Sequence, residues 1–299
     1  MKKQEKKSGF VAIIGRPNVG KSTIFNALVG MKVSITGPKS QTTRNKILGI
    51  LTEENAQIVF VDTPGILKPT NKLGEYMKKS IDSALSGNDL ILIVLDGTNI
   101  KEADYELIQK HENSDIPVFV VINKTDIASF EKVYPKLEKL NEYKFVSEFI
   151  SISAKTGKNL DELKSKIIEK LPSSEFMFEE GAVTDKSVKF ISAEIIREKA
   201  LLYLQQEIPH GIAVDIPKFT ETKKLVTIDA DIIASKENHK QIIIGKKGEM
   251  LKKIGSSARM EIEELVGCKV QLNLFVKVKE NWQDSLSSLH DFGYDKKDI

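Results

Sequence analysis

The chain predicts a doubly wound α/β domain followed by a smaller α+β domain. Three observations carry this. Up to about residue 171, continuous apolar runs alternate with helix-length segments. The stretch "LPSSEFMFEEGAVTDK" (171–186) then breaks the pattern with Pro, paired Ser, paired Glu and Gly. Beyond it, the apolar residues alternate one in, one out. At 299 residues the chain has room for two cores of ordinary size.

Each element follows from its local pattern. The runs "FVAII", "IVFV", "DLILIVL", "IPVFVVI" and "KFVSEFISI" lack the alternation of a strand wetted on one side. They suit parallel strands covered by helices on both faces. Between them lie segments such as "KSTIFNALVG", which Gly30 can close as a C-cap. In the second half, Val226, Ile228, Ala230 and Ile232 face opposite to Thr227, Asp229 and Asp231, and "CKVQLNLFVKVK" alternates likewise. Such strands are covered on one face only. Helical spacing appears at Ile191/Ile195 and at Met250, Leu251, Ile254, Ala258 and Ile262. The expected divisions are a basic N-terminal tail (1–8), the first domain (9–171), a linker (172–185), the second domain (186–280) and a C-terminal tail (281–299).

Composition narrows the class. The chain is 40% hydrophobic and 29% charged, with no apolar run near the roughly 18 residues of a membrane span. "MKKQEKKSGF" lacks the apolar stretch of a secretion signal, and a single cysteine, Cys268, suits the reducing cytoplasm. A net charge of +3 gives no general attraction to polyanions, so any such site must be local. One local concentration exists: from His239 to Arg259 there are six basic residues against Glu249. A solvated helix face is the plain reading of such a cluster. The four histidines show no metal-ligand spacing.

"GRPNVGKST" fits the phosphate-binding pattern with Gly15, Gly20, Lys21 and Ser22, after an apolar run and at the start of a helix. Backbone N–H groups from Arg16, Pro17's neighbours, Asn18, Val19 and Thr23 belong to the same cradle, with Lys21 reaching the β- and γ-phosphates and Ser22 a ligand for Mg2+. In "DTPGI", Asp62 is the second magnesium residue, followed by Thr63 and Pro64, and Gly65 offers its N–H to the γ-phosphate. Ile66 stands where a glutamine would orient the attacking water, so backbone or another element must do that. Asn18 is a candidate ligand for a monovalent cation, K+, beside the phosphates. In "GPKSQTTRNK", Thr42 and Thr43 are both candidates to close on magnesium, and Thr43 is favoured.

"NKTD" (Asn123, Lys124, Thr125, Asp126) selects the base. Guanine presents two adjacent N–H groups to the Asp126 carboxylate; adenine presents an acceptor there, and that mismatch rejects it. Ser153, Ala154 and Lys155 ("SAK") can present the Ala154 N–H to guanine O6. The ligand expected is GTP or GDP.

The second glycine-lysine turn, Gly245-Lys246-Lys247-Gly248, has the wrong spacing for a nucleotide loop, and no Ser or Thr follows its lysines. Between two helices it matches the GxxG clamp of a type II KH fold, which grips single-stranded nucleic acid, with Lys252 and Lys253 adding charge. A capped helix–turn–helix corner is the plainer alternative.

"GRPNVGKST", "QTTRNK", "DTPG", "NKTD" and "SAK", followed by "IIIGKKGEMLKKIG" and "LFVKVKENW", resemble the Era family of bacterial GTPases from about residue 8 to 285. The resemblance implies binding to the 3′ end of small-subunit 16S rRNA, a part in its maturation and in 30S assembly, and weak peripheral contact with the inner membrane face. A monomer is expected. Ser40 stands where the family tends to have proline and Gln283 where it has arginine, and the linker lacks the common Tyr-Pro. The rival reading is an RNA-binding scaffold in which the nucleotide is a structural ligand with little turnover.

Overall fold

The computed structural model describes residues 5–37, 39, 42–66, 69–128, 135–136, 138–204 and 208–294, without the side chains of 209 and 210. The first domain is a six-stranded sheet in the order β2-β3-β1-β4-β5-β6. Its strands are β1 (Lys7–Ile14), β2 (Ile47–Thr52), β3 (Ala56–Asp62), β4 (Leu90–Asp96), β5 (Val118–Asn123) and β6 (Glu148–Ser151). Helices α1 (Lys21–Val29), α2 (Lys72–Leu85), α3 (Glu102–Gln109) and α4 (Leu160–Lys170) flank it. The five apolar runs became the parallel strands β1, β3, β4, β5 and β6. β3 and β5 are buried along their whole length, which is why their sequences do not alternate. β2 was not foreseen. It is an antiparallel edge strand, and Gly49 lets it approach α1, since a Cβ there would lie 2.5 Å from the Phe25 ring.

The first loop follows β1, and Asp62, Asp96 and Asn123 end β3, β4 and β5. All therefore meet at the carboxyl edge of the sheet, where open α/β sheets bind ligands.

The second domain runs α5 (Val188–Tyr203), β7 (Ile212–Glu221), β8 (Leu225–Ala234), α6 (Glu237–Ile244), α7 (Glu249–Val266) and β9 (Lys269–Val278). β7 is antiparallel to β8, whereas β9 is parallel to it, so the α6–turn–α7 unit is the crossover. α7 buries Ile254, Ala258 and Ile262 against the sheet, as their spacing predicts.

Two segments are more ordered than the sequence suggests. The stretch after Leu171 is strapped along the β2 edge. Ile50 N–H donates to the Val183 carbonyl (2.8 Å), and Gln57 Oε1 accepts from Met177 N–H (2.8 Å) and Phe178 N–H (2.9 Å). An edge strand with free N–H and C=O groups is thereby covered. The expected C-terminal tail is folded through Tyr294. Trp282 is fully buried, with its indole N–H donating to the Gly211 carbonyl (3.0 Å). Tyr294 and Leu289, the latter on α8 (Leu286–Asp291), pack with it against Leu73, Tyr76 and Met77 of α2. One aromatic cluster thus ties the C-terminus to both domains. At the other end, Lys7 belongs to β1 and donates to the carbonyls of Ile168 and Glu169, and Lys6 pairs with Glu175 at 2.8 Å.

Candidate active site and nucleic-acid groove

The phosphate loop is held in shape before any ligand is considered. Gly15 has φ 152°, and a Cβ there would lie 2.5 Å from the Val94 carbonyl oxygen. Gly20 has φ 100°, and a Cβ would lie 2.2 Å from Asn123 Nδ2. Neither position admits a side chain. Lys21 is buried, and its ammonium donates to the carbonyls of Gly15 and Arg16, both at 3.1 Å. Burial pushes its pKa down to about 8, against the pull of Asp62 and with the push of Arg16. A phosphate dianion beside it would offset that cost. Val19 is core, and its carbonyl accepts from Asn123 Nδ2 (3.0 Å).

Asp62 lies opposite. Its Oδ2 accepts from Ser22 Oγ (2.8 Å) and Ser34 Oγ (2.7 Å), while its Oδ1 is buried with no hydrogen-bond partner. Burial pushes this carboxyl up, against the opposing charge of Lys21 and the hydrogen bonds from Ser34, Ser22 and Thr63. Thr43 Oγ1 is 2.9 Å from Ser22 Oγ, whereas Thr42 turns its hydroxyl to the Lys39 carbonyl (2.7 Å). Two hydroxyls and an orphaned carboxylate oxygen form an all-oxygen, hard donor set that fits Mg2+. Pro17, Asn18, Thr23 and Gly65 line the same pocket, together with Ile35, Thr36, Gly37 and Lys39. Ile35 and Thr36 carry no motif that the sequence marks, whereas Gly37 and Lys39 open the loop that contains Thr42 and Thr43. Gln41 and Ser40 of that loop lie outside the described residues.

Several motif residues act at one remove. The Arg16 guanidinium is turned from the pocket to Asp104 of α3, with bonds of 2.7 Å to each carboxylate oxygen. Only its backbone is left for phosphate. Thr63 is buried and donates to the Ile13 carbonyl (2.9 Å). Ser153 is buried and donates to Asp126 Oδ1 (2.8 Å), which fixes the orientation of that carboxylate. Lys124 Nζ donates to the Asn18 carbonyl (2.7 Å) and to Asp96 Oδ2 (2.6 Å). Thr125 Oγ1 donates to the Ile152 carbonyl (2.8 Å). The Ala154 N–H, expected to meet guanine O6, instead donates to Asn123 Oδ1 (3.0 Å), so that bond must open or be shared for the base. Ile66 is partly exposed, and its N–H faces the Gly15 carbonyl at 3.5 Å. Asp96 was missed, although it ends an apolar strand just as Asp62 does.

The second turn is a single 3-10 turn, Lys246–Gly248, between α6 and α7. Gly245 (φ 72°), Lys247 (φ 51°) and Gly248 (φ 80°) all have left-handed φ. Lys246 and Lys247 are exposed. Beside the turn, α7 and β9 border an open groove lined by Gly248, Leu251, Lys252, Arg259, Leu272 and Leu274. Gly255 lets helix and strand approach, since a Cβ there would lie 3.2 Å from Leu274 Cδ1. Lys253 is not in this groove: its ammonium sits 4.3 Å over the Tyr203 ring. Arg259, which the sequence reading had only counted among the basic residues, is.

Comparison with known proteins agrees with this geometry. Residues 10–124 match the family model of the 50S ribosome-binding GTPase, and residues 207–283 match the KH domain. The GTPase Era of Caldicellulosiruptor saccharolyticus is 48% identical over 98% of this chain and 99% of its own. That of Clostridium kluyveri is 47% identical over 96% and 99%. Among solved structures, Era in complex with MgGDPNP and nucleotides 1506-1542 of 16S ribosomal RNA superposes with a TM-score of 0.91 at 41% identity, over 97% of this chain and 99% of that one. An Aquifex aeolicus Era variant bound to GDP.AlF4- also reaches 0.91, over 96% and 99%. With both domains matched and relatives nearly half identical along their full length, this chain belongs to the Era family of GTPases.

Proposed function

We propose that the chain is a GTP-hydrolysing switch that binds the 3′ region of small-subunit rRNA through its KH domain and acts in rRNA maturation and 30S subunit assembly. One observation carries the reading. A magnesium-ready phosphate site and an open groove beside a GKKG turn coexist on a chain that superposes along its length on a relative crystallised with MgGDPNP and 16S nucleotides. The cytoplasm is where such RNA is met.

In this reading Lys21 and the loop N–H groups hold the phosphates, and Lys21 meets the charge that develops on the β–γ bridge. Ser22, Thr43 and Asp62 hold Mg2+, which neutralises charge across the β- and γ-phosphates. Asp126, aimed by Ser153, accepts the two guanine N–H groups. With Ile66 after Gly65, the water is placed by backbone groups rather than by a side-chain amide. Asn18 at the pocket rim is the candidate K+ ligand, and equal hydrolysis rates in K+ and Na+ would count against it. RNA phosphates meet Lys246, Lys247 and Lys252 at the turn and Arg259 along the groove, with bases toward β9. Membrane contact draws no support from Lys6 and Lys7, which are engaged within the protein, and no helix among the described residues is long and apolar enough to cross a membrane.

Multiple-turnover phosphate release tests the enzyme reading against the scaffold. Lys21→Ala is expected to abolish release while the full-length variant still retains rRNA. Turnover unchanged by that substitution would favour the scaffold.

A further inference from the structure

Thr43 belongs to a loop that the second domain grips, and the anionic grip is Glu198 of α5. Its side chain is 7% exposed. Oε1 accepts from the Thr36 N–H (2.8 Å) and from the Thr36 hydroxyl (3.3 Å). Oε2 accepts from Lys32 (2.7 Å) and Lys199 (2.8 Å). Glu261 of α7 pairs with the same two lysines. Burial alone would raise the Glu198 pKa. The hydrogen bonds from Lys199, Lys32 and the Thr36 N–H outweigh it and hold the carboxyl below the usual glutamate range.

Docking two domains does not call for a buried carboxylate, because apolar contacts hold surfaces together without the desolvation penalty. What a charge with fixed partners supplies is register, and here the register belongs to the loop. Gly37, next to Thr36, lies against the returning limb: a Cβ there would be 3.6 Å from Thr42 Oγ1. Arg197, adjacent to Glu198, donates to the Thr42 carbonyl. Past Thr43, Arg44 donates to the Ile212 carbonyl of β7 (2.7 Å). Thr43 therefore stands between the Thr42 carbonyl and the Arg44 side chain, both engaged by the second domain, with its hydroxyl at Ser22.

We propose that Glu198 is a positioning residue for hydrolysis: by fixing Thr36 it sets Thr43 against Ser22 and Asp62, so the KH domain completes the nucleotide site of its neighbour. This rests on Thr43 being the hydroxyl that closes on magnesium and the γ-phosphate. GDP does not need that closure, so the effect falls on turnover and spares GDP affinity. A merely structural role would lower both.

The test uses the full-length protein without RNA, reading steady-state hydrolysis and titration with a fluorescent GDP. Glu198→Ala is expected to lower kcat about tenfold, as a displaced reacting group does, with the KM for GTP and the GDP affinity within about twofold of wild type. Glu198→Gln keeps an acceptor for Thr36 and is expected to recover kcat to within about threefold. Full kcat in Glu198→Ala, or GDP affinity lost in parallel with kcat, overturns the proposal. Thr43→Ala separates the two levels: if it is inactive while Glu198→Ala is not, this proposal alone fails. If Thr43→Ala hydrolyses normally, the reading beneath it fails as well.

Discussion

Lys21 and Lys247 both stand in glycine-flanked turns for which a phosphate partner is proposed, yet Lys21 is buried while Lys247 is exposed. Lys21 is fixed by two carbonyls, and the Gly20 beside it is packed against Asn123, which itself bonds Val19 and Ala154. Around Lys247 the backbone is left-handed at three of four residues, and a Cβ on Gly248 would meet nothing within 4 Å. The first turn is preorganised for one small ligand and has no room to adapt. The second is an exposed edge on an open groove, with room for an extended chain. Selectivity belongs to the buried turn and adaptability to the exposed one.

Breaking each turn at a glycine is the largest test of that contrast. At Gly20 the added methyl meets Asn123 Nδ2 at 2.2 Å, and Asn123 is held by two further bonds and cannot retreat. Gly20→Ala is expected to raise the Kd for GDP at least about a hundredfold, roughly 3 kcal/mol, with RNA retention unchanged. At Gly245 the methyl meets Met250 Cβ at 2.7 Å and the Met250 amide nitrogen at 3.0 Å, but the turn is solvent-exposed and can shift. Gly245→Ala is expected to weaken RNA binding only about tenfold, near 1.4 kcal/mol, leaving GDP affinity intact. Paired titrations of both ligands on both variants would show the two losses. Equal losses would erase the distinction.

The buried lysine carries a second consequence, smaller and measurable as stability. Its pKa is near 8 in the folded chain and 10.5 in the unfolded one. Between those values the unfolded state holds a proton that the folded state does not, so stability rises with pH there and is lowest, on this account, below 8. A depression of that size opposes folding by up to about 3 kcal/mol at neutral pH. Lys21→Met is therefore expected to raise the melting temperature of the nucleotide-free protein at pH 7, by about 1–2 kcal/mol in stability. The wild type should recover that difference as pH climbs toward 10. A Lys21→Met variant less stable than wild type at pH 7 would contradict the burial argument.

The same contrast explains what could be read in advance. The parallel strands, the phosphate loop and the order of the KH elements were legible because each rests on local periodicity or fixed spacing. Missing from that reading were partnerships set by the fold. Arg16 sits inside the motif, yet its guanidinium belongs to Asp104, 88 residues away, which no local pattern marks. Ala154 gives its N–H to Asn123, a contact between the ends of β5 and the loop after β6. The strap after Leu171 reads as a linker because Met177, Phe178 and Val183 are held through their backbone groups, by the Gln57 side chain and by Ile50, and such bonds leave no trace in the strap's residue types. Trp282 and Tyr294 looked like tail because the cluster they complete includes α2, more than 200 residues earlier.

The basic cluster shows this most sharply, and it carries the smallest effect. Lys253 and Arg259 were indistinguishable as charges in the sequence, but Lys253 lies over Tyr203 while Arg259 lines the groove. If charge alone recruited RNA, either substitution to Ala would weaken binding alike and lower the salt slope alike. Placement predicts otherwise. Arg259→Ala is expected to weaken RNA binding several-fold and to reduce the slope of log K against log salt by about 1, the signature of one lost phosphate contact. Lys253→Ala should leave that slope unchanged and, at a surface cation–π pair, cost about 0.5–1 kcal/mol of stability at most. RNA titrations from low to moderate salt on both variants decide it, and a matching loss of slope in Lys253→Ala would mean that the exposed turn recruits RNA by field rather than by contact.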